Sequence, residues 1–167
     1  SADLKEAAKI QRRLLPPSVP ESEGLDLCGY NKSCQGVGGD YYDFLALSGG
    51  RLGLVVADVA GKGMSAALLM SSLHARVRLL AEREDNLATL VEELNRHVRA
   101  SSPGNRFITM FMMVLDPLTG KYTYSNAGHN PPIIVRESGS VERLETGGLI
   151  LGILPQAKYE IAEGRMM

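Results

Sequence analysis

GGDYYDFLALSGGRLGLVVADVAGKG, residues 38–63, contains two apolar runs joined by Ser48-Gly49-Gly50. Such a pair of glycines marks a β-hairpin, because tight hairpin turns need positive φ. One strand begins near Asp40 and the other is RLGLVVA, residues 51–57. Folding the hairpin about Gly49 sets Asp40 opposite Asp58. Opposed residues on antiparallel strands share a face, with Cβ atoms ~4.5–5.5 Å apart. Two carboxylates that close repel unless something positive lies between them, and a divalent cation with oxygen ligands meets that need. The plainer alternative is two strand-end aspartates in water, with Asp40 serving the turn after Gly38-Gly39. A one-residue slip in register would put the pair on opposite faces. RLGLVVA is almost continuously apolar toward its end, which predicts a strand covered on both faces.

Asp58 is followed at once by Val59-Ala60-Gly61-Lys62-Gly63 and then by a helical pattern. Glycines here let the backbone approach a ligand, and the start of a helix favours anions such as phosphate. The turn is not a P-loop. That motif needs Gly at 56 and Ser or Thr at 63, and the chain has Val56 and Gly63. His74 and His97 fall in helical segments and read as surface or boundary residues. His129 lies in the turn Ala127-Gly128-His129-Asn130-Pro131-Pro132, where a turn-stabilising hydrogen bond is the first reading and contact with a site the second. There is no HExxH and no GxSxG. Water activated by a metal fits these residues better than a side-chain nucleophile.

Working outward, residues 3–15 read as a helix with Leu4, Ala7, Ala8, Ile10 and Leu14 as its apolar stripe. Asp3 with Glu6 resembles a capping box, and Pro16-Pro17 stops the helix. It is either the tail of a coiled coil or a terminal helix packed on its own domain. Leu25 to Tyr30 reads as a strand. Helices are predicted over 63–82 and 86–99, followed by a polar turn at 101–105. FITMFMMVLD, KYTYSN, PPIIVR and VERLE are further strands, and the tail from Gly147 is Gly-rich and then strand-like. Strands, a helical hairpin and more strands on short turns predict an α+β domain of antiparallel sheet with helices on a face. A two-layer domain and a four-layer sandwich both fit.

The chain has 167 residues and is 44% hydrophobic, enough for one domain with a real core. Its net charge of -1 points to neither nucleic acid nor an anionic membrane. No apolar run approaches the ~20 residues of a membrane-spanning helix. Cys28 and Cys34 fit neither a CxxC redox motif nor a zinc knuckle, and read as free thiols in a reducing cytosol. The chain begins at Ser1 rather than Met, so a fragment of a longer protein is expected.

GVGGDYYDF at 36–44, VVADVAGKGMSAALLMS at 55–71, FITMF at 107–111 and YSNAGHNPPIIV at 124–135 together resemble the SpoIIE/RsbU-type phosphatases. QRRLLPP before the first strand and GGLILGILP at 147–155 extend the likeness to almost the whole chain. These proteins are the bacterial branch of the metal-dependent (PPM, type 2C-like) serine/threonine phosphatases. The resemblance implies an αββα four-layer sandwich holding two Mn²⁺ or Mg²⁺ ions. Asp40 and Asp58 match metal ligands, and so does the backbone carbonyl of Val59. It implies cytoplasmic signalling in which a phosphoserine or phosphothreonine is hydrolysed, typically on a small STAS-domain antagonist of an anti-sigma factor. Residues 1–17 would be a linker helix from an upstream sensory or receiver domain, able to mediate a homodimer. Residues 18–167 would be the phosphatase domain, with the helices at 63–82 and 86–99 as its switch elements.

The sequence also departs from the family. Two further aspartates are expected near the C-terminus, yet the last one here is Asp116, in the turn DPLTG. A domain incomplete at its C-terminus, weak in metal affinity and open at a sheet edge, is the expectation. A catalytically inactive switch or interaction module is the alternative. Lys62 stands where some relatives carry His; it either attracts phosphate or is a solvated turn residue.

Overall fold

The computed structural model describes residues 2–33, 36–102 and 106–166. Helix α1 spans Ala2–Leu14. Strand β1 (Asp40–Ala46) and strand β2 (Leu52–Val59) form the expected hairpin. Ser48–Gly50 make a single 3-10 turn between them, with Gly49 at φ 70° and Gly50 at φ 71°. Only glycine adopts both values cheaply. Helices α2 (Met64–Ala81) and α3 (Leu87–Ser101) follow. Then come β3 (Ile108–Leu115), β4 (Lys121–Ala127), β5 (Ile133–Val135), β6 (Val141–Arg143), β7 (Gly147–Gly148) and β8 (Ala162–Arg165).

The large sheet runs β1-β2-β3-β4, antiparallel throughout, and β7 and β8 share the outer edge of β4. β7 pairs parallel at Asn126–Ala127, and β8 pairs antiparallel at Lys121–Tyr124. Strand alternation sorts the side chains into two cores. On one face Tyr41, Val55, Ala57, Ile108, Met110 and Met112 pack beneath α2 and α3. The helices present Ala66, Met70, Leu73 and Val77, and Leu90, Val91, Leu94 and Val98, at spacings of three and four. On the other face Phe111, Met113, Tyr122 and Tyr124 pack against Ile134 and Leu144 of the β5–β6 hairpin. The α+β class is as expected, and the described residues build three layers: helices, large sheet and small sheet.

Four local expectations need correction. Leu25 to Tyr30 is no strand. Leu25 and Leu27 alternate with exposed neighbours, but no partner strand lies alongside among the described residues, and only an isolated Ser22–Leu25 bridge forms. The second face of β2 is covered only at its start: Leu52 is buried and Leu54 packs on the second core, but Val56 is 42% exposed, because the small sheet sits over β3 and β4. Asp3 does not cap α1, since the helix already includes Ala2; Glu6 instead pairs with Lys9 at 3.1 Å. Ile10 is not in the apolar stripe. It is 59% exposed, while Gln11 turns toward the domain. α1 packs on its own domain, with Ala8 against Val37 and Ala67, which favours the second of its two readings. Cys28 is a free, exposed thiol; Cys34 and part of the 101–105 turn lie outside the described residues.

Candidate metal centre

The β1–β2 register pairs Asp40 with Asp58, as the symmetric reading about Gly49 required. Tyr41, Leu45, Val55 and Ala57 alternate onto the helical face, so Asp40 and Asp58 project from the opposite one. Both are exposed. The Asp58 carboxyl is pushed above the usual aspartate range, first by partial loss of water, then by repulsion from Asp40 and a hydrogen bond between the two carboxyls. Such a pair shares a proton or takes up a cation.

Gly39 explains how Asp40 comes so close. A Cβ on Gly39 would lie 2.7 Å from the Val59 carbonyl oxygen and 3.0 Å from the Val59 Cβ. With no side chain, the segment before Asp40 lies directly on Val59, whose N–H donates to the Gly39 carbonyl at 3.2 Å. The Val59 backbone and the two carboxyls are thereby gathered at one end of the hairpin. All three donors are oxygen, the choice of a hard divalent ion such as Mn²⁺ or Mg²⁺. The donor set fits in kind and is small in number: no group of three or more His, Cys, Asp or Glu is gathered for a metal among the described residues.

An open groove of about 310 Å³ runs past the pair, lined also by Tyr30, Asn31, Lys32 and His129. His129 thus does what both readings of its turn asked. Its backbone N–H donates to Asn126 Oδ1 at 2.7 Å and locks the turn, while its ring faces the groove with Nδ1 bonded to Thr109 Oγ1 at 2.9 Å. Burial holds this imidazole below its ordinary range, against the upward pull of Asp58 and Asp40. Lys62 is exposed in the turn between Asp58 and α2. The turn bends through Gly61 at φ 110° and Gly63 at φ 72°.

His74 and His97 are boundary residues, as expected. His74 packs edge-on to Tyr41, and His97 Nε2 lies 2.9 Å from Ser72 Oγ. The sequence reading passed over Asp43, which is buried on the helical face of β1, away from Asp40 and Asp58. Its Oδ2 accepts from the Tyr41 hydroxyl at 2.7 Å and from Arg78 Nε at 2.9 Å. Its Oδ1 accepts from the Phe44 N–H at 2.9 Å and Arg78 Nη2 at 2.7 Å. An aspartate on the buried phase of a strand was the available signal, since a charge there requires a partner.

A helical layer lies on an antiparallel sheet, with the paired carboxyls at the hairpin end. The fold is shared with the SiaA-PP2C domain of Pseudomonas aeruginosa, at a TM-score of 0.76 and 18% identity over 99% of this chain and 67% of that one. The chain belongs to the Stage II sporulation protein E (SpoIIE) family, whose profile matches residues 48–166. It is 32% identical over 160 residues to the phosphoserine phosphatase RsbU of Bacillus subtilis (strain 168), across 95% of this chain and 48% of the relative. A structure of the RsbU and RsbW domains of Rv1364c from Mycobacterium tuberculosis matches with TM-score 0.65 and 35% identity, over 75% of this chain and 35% of that one. The chain therefore spans about half the length of RsbU, and less of other curated relatives it matches.

Proposed function

We infer that this protein hydrolyses phosphoserine or phosphothreonine on a regulatory protein, with Asp40, Asp58 and the Val59 carbonyl holding Mn²⁺ or Mg²⁺. The observation that carries the reading is the Asp40–Asp58 pairing at an open groove, in a chain related to a phosphoserine phosphatase. Asp40, Asp58 and the Val59 carbonyl would hold the ion, which when bound would supply an activated water and polarise a phosphoryl oxygen. Asp40 and Asp58 bind and orient. Lys62, exposed in the turn after Asp58, would supply a positive charge for the phosphate. His129, whose ring burial holds below its ordinary range, lines the same groove. The exposed site suits a phosphorylated loop of a protein better than an enclosed small molecule. A STAS-type antagonist of an anti-sigma factor is the substrate class proposed, and the presence of RsbU and RsbW domains in Rv1364c of M. tuberculosis supports that setting. Residues 1–17 act as the linker helix from an upstream sensory or receiver domain, and 18–167 as the phosphatase domain. A cytoplasmic location accords with this role. No described helix is long and apolar enough to cross a membrane.

A second reading, an inactive switch module of the same fold, is favoured by one observation: only two carboxylates meet at the site among the described residues. Phosphate release from a phosphoserine protein, followed across a Mn²⁺ titration with the full natural chain, separates the two. Metal-dependent release that Asp58→Asn abolishes supports the phosphatase. No response to Mn²⁺ leaves the switch module.

A further inference from the structure

Between α2 and α3 runs an open cleft of about 430 Å³, lined by Arg76 of α2 and by Glu93, Arg96, His97 and Ala100 of α3. Helical spacing gathers these groups. Positions 93, 96, 97 and 100 fall on one stripe of α3, and Ser72 and Arg76 are one turn apart on α2. Ser72 Oγ lies 2.9 Å from His97 Nε2, a bond that ties the two helices together at the cleft and orients the imidazole. Glu93 shares the lining, yet neither Arg76 nor Arg96 has a carboxylate within ion-pair distance among the described residues. The Nε of Arg76 is buried and has no hydrogen-bond partner among the described residues. A buried donor without an acceptor is a standing cost to the fold. The Arg76 charge also reaches His97, whose imidazole is held below its ordinary range first by burial and then by that charge. Two guanidiniums thus face one carboxylate, in a chain whose net charge is -1. The helices cover one face of the large sheet, and Asp40 and Asp58 project from the other, so the cleft and the carboxylate pair are separate.

We propose that this cleft is a phosphate-binding site, in which Arg76 and Arg96 grip the phosphate group of free phosphate or of a small phosphomonoester. Each guanidinium is a planar fork of donors that pairs with phosphate through two parallel hydrogen bonds. Forks arriving from two helices match the three outer oxygens of a phosphate better than the two of a carboxylate. Turning the Arg76 fork onto such an anion gives its Nε–H the acceptor it lacks. A concave space of this volume accommodates a phosphate with a short organic tail and lies in the range of small-molecule sites. Glu93 opposes the anion, so its charge limits the affinity. The site is independent of any role for Asp40 and Asp58.

The test is an NMR titration of the isotope-labelled full natural chain with sodium phosphate, glycerol phosphate and succinate. The Arg76 Nε–Hε resonance is followed, identified by its loss in Arg76→Lys. EDTA keeps the carboxylate pair free of metal, and about 0.15 M NaCl screens loose surface attraction. The expected result is a saturable shift with one or both phosphates and none with succinate. Arg96→Gln, a change at an exposed position that the fold tolerates, should raise the apparent Kd about tenfold, the order set by losing hydrogen bonds to a charged group. Glu93→Gln should lower it. Tighter binding of glycerol phosphate marks a phosphomonoester as the ligand, and tighter binding of phosphate marks the free anion; either supports the site. No shift with either phosphate overturns it, and so does a Kd unchanged in Arg96→Gln. Succinate that binds as well as phosphate overturns it too, because the cleft would then be a patch for anions of any kind.

Discussion

Asp58 carries an opposed demand. In the metal-free protein its carboxyl is held above the ordinary value of 3.8, so ionising it costs the folded state something. The stability associated with its proton is full below the unfolded value and is lost as pH rises through the higher folded one. Removing the charge should therefore help the metal-free fold. Asp58→Asn is expected to raise the melting temperature in EDTA by about 1–3 °C, a modest shift because the pair is solvent-exposed. The parent should gain further stability on adding Mn²⁺ by mass action, and the variant should not. Scanning calorimetry with and without Mn²⁺ reads both, and an unchanged Mn²⁺ response in Asp58→Asn would remove Asp58 from the site. Other decisive single residues here are carboxamides. Gln11 holds Gly38, Asn95 accepts from the Gly152 N–H at 2.8 Å and donates to the Leu154 carbonyl at 2.8 Å, and Asn126 bridges the His129 and Leu144 carbonyls. Sequence alone hid them. In a helix Gln11 and Asn95 look like solvent-facing residues, and nothing local reveals which distant loop needs a donor and an acceptor.

Among the elements, the hairpin was the most legible, because its turn glycines and alternating pattern fix the register without help from the rest of the chain. Helices α2 and α3 were legible for the same reason, their apolar stripes being periodic. The Leu25–Tyr30 segment shows the limit. Its alternation is real, but a strand exists only where a neighbour offers hydrogen bonds. The Asp40–Asp58 pairing was legible as geometry from Gly49, and its proposed role came from resemblance. The tie between β1 and α2 was not legible, since it joins residues 35 apart. Arg78→Met leaves the Asp43 carboxylate buried without its cation. It should cost about 2–4 kcal/mol, lowered from the fully buried case because the Arg78 side chain is itself half-exposed. Urea denaturation measures this, and Asp43→Asn combined with Arg78→Met should recover part of the loss. A cost within experimental error for Arg78→Met would show that solvent, not Arg78, compensates Asp43.

Across the molecule, the histidines make stability fall toward acid. Burial holds His74 and His97 below the ordinary value of 6.5, so the fold disfavours their protonated forms. The stability they confer is full above the unfolded value and is lost as pH falls through the lower folded one. The urea midpoint of the metal-free protein should drop between about pH 7.5 and about pH 5.5. It should drop less in a variant carrying His74→Gln and His97→Gln. Equal drops in parent and variant would place the acid sensitivity elsewhere.

The last strand has a mechanical consequence. Arg136, just beyond β5, donates through Nη1 to the Arg165 and Met166 carbonyls, and its Nη2 pairs with Glu142 of β6. β8 is thus strapped to the small sheet while it lines the edge of β4. Its ladder runs antiparallel to β4 over four residue pairs, so tension along the chain from residue 166 would load those pairs together in shear if aligned with the strands, or one after another if across them. The strap adds a second anchor that must yield before β8 leaves β4; while it holds, the pull is passed to the small sheet packed on Phe111, Tyr122 and Tyr124. A partner that tugged on this end would feel a latch, not a fraying tail.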